Sequence, residues 1–492
     1  MNKEIIQLAP LGIWRNFSKI NAIPRPSKKE EAIVAFVVRF CENIGLEPII
    51  DTVGNVIVRK PASFGLELRK MVTLQAHLDM VHQKNKDTIF DFDMQGIEMK
   101  IEGDWVTANG TTLGADNGMG AAAILTLLES TDIAHPPLEA LFTIDEETGM
   151  TGAFGLKGGI LKGEILLNLD TEEDDEIDIG CAGGVDVTAK GEYTTVPLAQ
   201  DSVGYVIKIA KLNGGHSGIE INKGLGNANK IVNRIVFAGL PYDVQICEMH
   251  GGGLRNAIPR ESFSTIAVPN KLEKECVAAM QIAAQEIKEE LYLVDAQLTI
   301  TIEKCALPQN GAMETIAQQK LVKSIYAAHN GVYSMSAAIA GLVATSNNIA
   351  SVSVADGKIQ INCLVRSSIT SGRNDMANTL KSVFELAGYE VAFSGAYPGW
   401  NPNPNSEILK TLRAVYKQLF KSDPRVVACH AGLECGIIGA NYPDMDMISF
   451  GPTILGAHSP EERVSITSVA KFWKFLLVVL KSTLNSSDKR NF

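Results

Sequence analysis

The 492-residue sequence has no long hydrophobic run and no excess of positive charge. The best candidate for a membrane span, residues 475–480, is six apolar residues between two lysines, whereas a span needs about 20. The formal net charge of -11 disfavours nucleic acid, because binding to phosphates calls for basic patches. We therefore expect neither a membrane nor a nucleic acid as partner, and we predict a C-terminal core helix around residues 475–480.

Signal-peptide and disulfide patterns are also missing. Lys3, Glu4 and Arg15 interrupt the short apolar patches at the start, which is atypical of a secretory signal. Eight cysteines are scattered without a C-x-x-C pair, which favours reduced, mostly buried thiols. These features predict a cytoplasmic protein. The length predicts two or more domains, and 46% apolar with 21% charged residues is typical of a globular chain.

The hydrophobic pattern divides the chain into three stretches. Residues 1–186 alternate helical segments with short apolar runs such as 72–76, an order that predicts an α/β domain with a mixed, largely parallel sheet. Residues 187–397 change to strand, helix, strand with long helices, and residues 398–492 resume the first pattern. We predict one α/β domain interrupted by an inserted α+β domain. A faint similarity between residues 255–264 and 347–354 suggests a repeat in the insert, with coincidence as the alternative.

Ionisable residues follow the predicted strands. They are His77 and Asp79 after residues 72–76, Asp145, Glu146 and Glu147 after residues 138–144, Asp170 after residues 165–169, and His458 beyond a strand at 447–450. Asp116 lies in a Gly-rich turn before a helix. Each group alone is also compatible with a solvated loop. Because ligands collect at the carboxyl ends of parallel strands, their joint placement predicts one site.

The residue types at this site suit metal-assisted hydrolysis. Imidazole and carboxylate are ligands of zinc, manganese and cobalt, and a carboxylate can bridge two metals with its two oxygens. A further carboxylate must take the proton of the attacking water and pass it to the leaving amine. A histidine ligand usually donates its other N–H to a carboxylate, and Asp79 is placed to receive that bond from His77.

Five ordered motifs carry a resemblance that covers nearly the whole chain. They are Ala76-His-Leu-Asp-Met-Val81, Leu113-Gly-Ala-Asp-Asn-Gly118, Asp145-Glu-Glu-Thr-Gly149, Asn168-Leu-Asp-Thr-Glu172 and Gly456-Ala-His-Ser-Pro460. They resemble the motifs of the M20 metallopeptidases, most closely those of the aminoacyl-histidine dipeptidase (Xaa-His dipeptidase) branch. The resemblance implies a zinc-peptidase-like catalytic domain interrupted by a lid at residues 187–397, about twice the usual lid and so a candidate for a doubled ferredoxin-like unit.

The resemblance also implies a ligand set for two divalent ions, with zinc as the first choice and manganese or cobalt as alternatives. Asp116 would bridge the two ions, His77 and Asp170 would complete one site, and Glu147 and His458 would complete the other. An Asp at position 170 matches the aminopeptidase and dipeptidase side of the family, since deacylases and carboxypeptidases tend to have Glu there.

Catalytic and substrate-binding roles follow from the same resemblance. Glu146 would act as general base and then acid, Asp79 would orient His77, and the peptide bond after Asp116 would be cis. In the insert, Gly214-Gly-His-Ser-Gly218 resembles the lid motif whose histidine, here His216, helps to bind the substrate carbonyl oxygen; a polar loop histidine is the alternative.

Three further residues are candidate substrate contacts: Asn256, Arg366 and Glu434. Arg366 follows a predicted strand and could hold a substrate carboxylate in a bidentate pair, or form a surface ion pair.

The resulting hypothesis is a dinuclear-metal dipeptidase that hydrolyses unblocked dipeptides of the Xaa-His type, such as carnosine. The alternatives are an aminoacylase or tripeptide aminopeptidase on the same scaffold, and a non-catalytic protein that holds metal. A doubled lid could close the site within one chain, where simpler relatives take a lid residue from a dimer partner. The oligomeric state therefore stays open between a monomer and a homodimer.

Overall fold

The chain forms two compact units in a computed structural model that describes residues 4–337 and 339–485. The first unit comprises Met1–Gly180, Trp400–Ala428 and Leu433–Phe492, and the second comprises Cys181–Gly399 and Cys429–Gly432.

Helices and strands are numbered in chain order within the described residues. The α-helices are α1 (Leu11–Asn21), α2 (Glu31–Asn43), α3 (Ala115–Glu129), α4 (Thr151–Gly155), α5 (Ala228–Gly239), α6 (Glu273–Leu291), α7 (Thr315–Ala327), α8 (Thr370–Leu386), α9 (Glu407–Phe420), α10 (Glu434–Asn441) and α11 (Ile466–Lys481). The strands are β1 (Pro48–Ile50), β2 (Val56–Lys60), β3 (Val72–His77), β4 (Met99–Glu102), β5 (Trp105–Ala108), β6 (Leu138–Thr143), β7 (Ile165–Asn168), β8 (Glu176–Cys181), β9 (Gly183–Glu192), β10 (Thr195–Val196), β11 (Ser202–Ala210), β12 (Gly215–His216), β13 (Gln245–Gly252), β14 (Ala257–Ile258), β15 (Ser262–Pro269), β16 (Thr299–Cys305), β17 (Ala312–Met313), β18 (Gly331–Met335), β19 (Val343–Ala355), β20 (Lys358–Ser367), β21 (Glu390–Tyr397), β22 (Arg425–Cys429), β23 (Asp446–Ser449), β24 (Ile454–Leu455) and β25 (Arg463–Ser465). Short 3-10 helices lie at Ile5–Gln7, Ile221–Lys223, Leu240–Tyr242 and Asn270–Leu272.

The first unit is built on a mixed sheet with the strand order β1-β2-β6-β3-β7-β23-β8-β22. Its central strands β6, β3, β7 and β23 run parallel, whereas β1, β2 and β8 pair antiparallel with their neighbours. Every residue of β3 and β6 is buried, as expected of apolar parallel strands covered on both faces. The α/β fold class with a mixed sheet is therefore confirmed.

Helix α3 packs closely against other elements of the first unit because small residues lie on its surface. A Cβ on Gly118 would lie 2.8 Å from the ring of Phe17 in α1, and a Cβ on Gly120 would lie 2.7 Å from the backbone oxygen of Leu169. Glycine therefore lets α3 approach both α1 and the end of β7. This approach brings the first turn of α3 to the carboxyl edge of the parallel strands.

The predicted C-terminal core helix is confirmed as α11. Phe475, Leu476, Val479 and Leu480 are buried on one side of it. None of the helices within residues 4–337 and 339–485 combines the length and the apolar character of a bilayer span.

The second unit contains an antiparallel sheet with the order β16-β11-β15-β13-β19-β20-β9-β21. Two βαββαβ sets contribute to it: β11-α5-β13-β15-α6-β16, and β9-α7-β19-β20-α8-β21. The first set is inserted into the second, and the two meet where β13 pairs with β19. An apolar core includes buried residues from the sheet and from all four helices of the two sets.

The match between residues 255–264 and residues 347–354 does not join equivalent parts of these two sets. Residues 262–264 of the first segment belong to β15, the third strand of its set, whereas the second segment belongs to β19, the second strand of the other set. The two segments do not occupy equivalent positions, so their similarity is coincidental.

Candidate active site

Three parallel strands of the first unit end beside one another in a group of ionisable side chains. His77 is the last residue of β3, Glu146 and Glu147 follow β6, and Asp170 follows β7. Strands β6, β3 and β7 are neighbours in the sheet, so their carboxyl ends share one edge. The structure thus brings together residues that lie far apart in the sequence.

Asp116 stands at the centre of this group and faces two histidines. Its Oδ1 lies 3.0 Å from His77 Nε2, and its Oδ2 lies 3.1 Å from His458 Nε2. Asp170 Oδ1 lies 3.5 Å from His77 Nε2, and Glu147 Oε2 lies 3.0 Å from His458 Nε2. The five predicted ligands therefore form two trios that share Asp116.

The donor set fits two divalent cations. In each trio, one atom from every residue lies within 4.8 Å of the others. Glu147 Oε1 is buried and has no hydrogen-bond partner among the described residues. Hydrogen bonds with Asp116 and Glu147 raise the pKa of His458 to about 11, which shows how strongly the carboxylates favour a positive charge here. Mixed imidazole and carboxylate ligands suit zinc, manganese and cobalt alike, so the geometry does not select the metal.

Asp79 contacts both His77 and the loop that carries Glu146 and Glu147. Its Oδ1 lies 3.3 Å from His77 Nδ1. The carboxylate also accepts the backbone N–H groups of Glu146 at 3.0 Å and Glu147 at 3.2 Å. Burial opposes its ionisation, but the bonds from His77 and Ser27 outweigh burial and lower its pKa to about 2. Asp79 is therefore an ionised group that holds two ligand-bearing segments together.

A third buried group of carboxylates, Glu30, Asp79 and Asp145, has a structural explanation. Glu30 Oε1 accepts the backbone N–H of Asp145 at 3.0 Å, and Asp145 accepts hydroxyl hydrogen bonds from Thr148 and Thr151. These bonds satisfy the carboxylates and shape the turn before Glu146. The group therefore needs no metal to account for it.

The negative charges of neighbouring carboxylates act on Glu146. Burial raises its pKa well above the usual value, and the charges of Asp170, Glu434 and Glu147 act in the same direction. A carboxylate with raised proton affinity beside a candidate metal site is suited to accept and release a proton.

The turn before Asp116 requires glycine at position 114. Gly114 has a φ of 71°, and a Cβ there would lie 2.4 Å from Arg25 Nη2 and 2.7 Å from Met80 Sδ. The peptide bond between Asp116 and Asn117 is cis, which confirms the prediction made from the family resemblance.

Glu434 begins α10 and belongs to the same acidic environment. Its Oε2 accepts hydrogen bonds from Gln75 and Thr143, each at 2.6 Å, while its Oε1 is buried without a hydrogen-bond partner in the described chain. Burial raises its pKa to about 8, and the charge on Asp170 adds to the effect. Glu434 therefore has one oxygen available for a donor that the described part of the chain does not supply.

In the second unit, Arg366 and His216 lie side by side. Arg366 is 5% exposed, its Nη1 donates to Tyr397 Oη at 3.0 Å, and its Nη2 lies 3.4 Å from His216 Nε2. The surface ion pair considered for Arg366 is wrong, because the side chain is buried and no ion pair found among the described residues includes it. A buried guanidinium without a carboxylate is suited to an anionic ligand.

His216 is held in a neutral state beside this arginine. Its Nδ1 accepts the backbone N–H groups of Gly218 at 3.2 Å and Ile219 at 3.0 Å, so its own proton resides on Nε2. Burial and the charge of Arg366 lower its pKa to about 4. His216 and Arg366 therefore both present N–H donors in one place.

Asn256 is placed less decisively. It is exposed in the turn before β14, and its backbone oxygen accepts the N–H of Ser217 at 2.7 Å. This bond connects it to the His216 segment through the main chain, so the role of its side chain stays a prediction.

Sequence reasoning missed two charged residues near the ligands, Arg25 and Glu462, and Glu172 is a third charged residue near the same ligands. Burial and the charge of Asp116 raise the pKa of Glu172 to about 8. Arg25 and Glu462 are buried against the backbone around Asp116. Arg25 gives no motif signal, whereas Glu462 stands four residues after His458 and could have been suspected from that proximity.

Comparison with known proteins identifies relatives along the whole chain. A model of peptidase family M20/M25/M40 matches residues 73–482. The cytosol non-specific dipeptidase of Escherichia coli (strain K12) is 42% identical over 479 residues, which cover 97% of this chain and 99% of that protein. The crystal structure of aminoacylhistidine dipeptidase from Vibrio alginolyticus is similar with a TM-score of 0.92 and 43% identity, and the match covers 99% of each chain.

A more distant similarity concerns the fold alone. Aminopeptidase PepT from Bacillus cereus ATCC 10987 matches with a TM-score of 0.56 at 14% identity, over 96% of this chain and 99% of that one.

Proposed function

This chain belongs to peptidase family M20/M25/M40, and we propose that it is a dinuclear-metal dipeptidase acting on unblocked dipeptides. The observation that carries the proposal is Asp116, whose two oxygens face two separate His/carboxylate groups. The similarity to two dipeptidases over nearly the full length supports the substrate class.

The proposed mechanism assigns a separate task to each residue of the first unit. Two divalent ions held by the two trios that share Asp116 would supply Lewis acidity for the attacking water and the scissile carbonyl. Glu146 takes the proton of the attacking water and delivers it to the leaving amine. Asp79 keeps the imidazole of His77 in one orientation and tethers the Glu146 segment through its backbone N–H.

We propose that Glu434 binds the free ammonium group of the substrate. Its Oε1 is a buried acceptor with no donor among residues 4–337 and 339–485, and an ammonium has three N–H bonds to offer. An N-acylated substrate keeps only one uncharged N–H, so it would replace a charge-assisted hydrogen bond by a neutral one of about half the strength. This preference disfavours the aminoacylase alternative.

We propose that Arg366 and His216 bind oxygen atoms of the peptide. Arg366 supplies the charge for the carboxylate, and the Nε2–H of His216 donates to the carboxylate or to the carbonyl oxygen. Asn256 is retained as a weaker contact of the same unit.

The breadth of specificity is the finer part of the proposal. One relative is described as non-specific and the other as an aminoacylhistidine dipeptidase. We propose that Xaa-His dipeptides such as carnosine are among the substrates and that zinc is the metal, with manganese or cobalt as alternatives. A cytoplasmic location is proposed from the name of the Escherichia coli relative.

The test is a substrate panel on protein loaded separately with zinc, manganese and cobalt. It contains β-alanyl-histidine, other Xaa-His and non-histidine dipeptides, their N-acetyl derivatives, tripeptides and N-acyl amino acids. We expect two metals per chain and turnover confined to unblocked dipeptides. Preferred cleavage of tripeptides or N-acyl amino acids would replace the dipeptidase assignment, and two bound metals without hydrolysis of any substrate would favour the metal-holding protein.

A further inference from the structure

We propose that Glu462 and Arg25 are positioning residues that clamp the turn at residues 113–116 from opposite sides, so that Asp116 keeps both oxygens aimed at the two histidines. Neither side chain is among the ligands or the proposed catalytic groups. The relevance of the clamp to catalysis rests on the proposed function. The clamp itself consists of hydrogen bonds within the first unit.

Glu462 binds four consecutive backbone N–H groups. Its Oε2 accepts those of Leu113 at 2.7 Å and Gly114 at 2.9 Å, and its Oε1 accepts those of Ala115 at 2.7 Å and Asp116 at 3.3 Å. The side chain is 2% exposed. Four donors occupy the four lone-pair positions of the two oxygens, so the arrangement suits a carboxylate and no other side chain of this size.

Arg25 donates hydrogen bonds to a backbone carbonyl of the same turn and to two backbone carbonyls of a neighbouring segment. Its Nη2 donates to Gly114 O at 2.6 Å, and its Nη1 donates to Leu78 O at 3.0 Å and Asp79 O at 2.9 Å. One guanidinium thereby joins the turn before Asp116 to the segment directly after His77. Gly114 is held at its N–H by Glu462 and at its C=O by Arg25.

The two side chains connect three segments that carry proposed ligands. Arg25 links the segments of His77 and Asp116, and Glu462 lies in the loop that follows His458. The turn between them lacks its own side-chain cap, since the residue before α3 is Gly114. A two-metal site needs its ligands placed to within about 0.5 Å, so a loosened turn would disturb both metals through the shared Asp116.

Conservative substitutions break the clamp without removing bulk. In Glu462→Gln, the amide NH2 replaces one acceptor oxygen and faces backbone N–H groups that now lack an acceptor. In Arg25→Lys, a single ammonium on a flexible stem replaces the planar fork that reaches three carbonyls. Glu461→Gln and Arg39→Lys are matched controls, because both residues are exposed.

The first measurement is amide hydrogen exchange in metal-free protein. We expect the amides of residues 113–116 to exchange faster in Glu462→Gln than in the parent protein, with the β3 and β6 amides unchanged. This readout needs no metal and no activity, so it tests the clamp even if the proposed function is wrong. Unchanged exchange at residues 113–116 would overturn the proposal.

The second measurement is metal affinity by chelator competition, with kinetics at saturating metal. We expect Glu462→Gln and Arg25→Lys to bind zinc about 10–100-fold more weakly, the range typical of residues that support ligands. At saturating metal, kcat should fall while KM stays near the parent value, and Glu462→Asp should recover part of the loss because it keeps the charge. A folded Glu462→Gln variant with metal affinity within twofold of the parent would also refute the clamp.

Discussion

Glu146→Gln provides the most decisive test of the proposed chemistry. The substitution keeps the size of the side chain and removes its ability to take a proton. The Glu146 N–H donates to Asp79 Oδ1 at 3.0 Å through the backbone, and a glutamine retains that bond. The ligand trios do not include Glu146, so metal binding should persist while turnover is lost.

The expected loss follows from the proton-transfer step alone. A positioned general acid or base contributes about 10²- to 10⁴-fold to the rate. Each tenfold change corresponds to about 1.4 kcal/mol, so the barrier should rise by about 2.7–5.4 kcal/mol. The loss should appear in kcat, because Glu146 acts on the reacting atoms and contributes little to binding.

The assay combines kcat and KM for β-alanyl-histidine with metal content by elemental analysis. Glu461→Gln makes the same chemical change at an exposed position and should retain parent activity. Glu146→Asp should fall between the parent and the glutamine variant, since it keeps the base but withdraws it by one methylene. If Glu146→Gln holds two metals and turns over within tenfold of the parent, the assignment of Glu146 as the base is refuted.

Three further predictions concern the rest of the site. Arg366→Lys should lower kcat/KM by about 30-fold, equivalent to about 2 kcal/mol, for dipeptides with a free carboxylate. The loss should be much smaller for the C-terminal amides of the same dipeptides, and Arg260→Lys is the control. Equal losses on the free acids and the amides would exclude a carboxylate contact. Chelation should abolish turnover and lower the melting temperature, because a ligand at 100 times its Kd stabilises the fold by about 2.7 kcal/mol; an unchanged melting temperature would argue against bound metal. Burial and the charge of Arg366 lower the pKa of His430 to about 3, below its unfolded value of about 6.5. The unfolded state therefore binds more protons between these two pKa values, so the stability of the fold rises with pH across this range. His430→Gln should flatten the change in melting temperature from pH 4 to 6.5. A slope equal to that of the parent protein would contradict the contribution of His430.

The central strands and their chemistry could be predicted because both depend on local patterns. Fully apolar runs such as residues 72–76 indicate buried parallel strands, and polar residues directly after them indicate a site. The structure places His77 and Asp170 3.5 Å apart at neighbouring strand ends, although 92 positions separate them in the sequence. The order of the strands in the sheet could not be read from the sequence. The rule that the carboxyl ends of parallel strands share one edge was enough to predict that these residues meet.

The second unit was harder to predict because its functional groups depend on burial. Arg366 in the sequence is compatible with an exposed ion pair, and only the packing of β20 shows that it is buried beside Tyr397. The nested order of the two βαββαβ sets was equally hidden, since pairing between β13 and β19 joins strands about a hundred residues apart.

Glu461 and Glu462 show why positioning residues escape a search for motifs. The two neighbours are chemically identical, yet one is exposed and the other accepts four backbone N–H groups. Glu461 lies in the turn that follows His458, where Glu462 N–H donates to Ser459 O at 3.0 Å, whereas Glu462 directly precedes β25. Pairing of β25 with β5 fixes the chain immediately after Glu462. Which of the two carboxylates supports the turn at residues 113–116 therefore depends on tertiary packing, which a search for motifs does not detect.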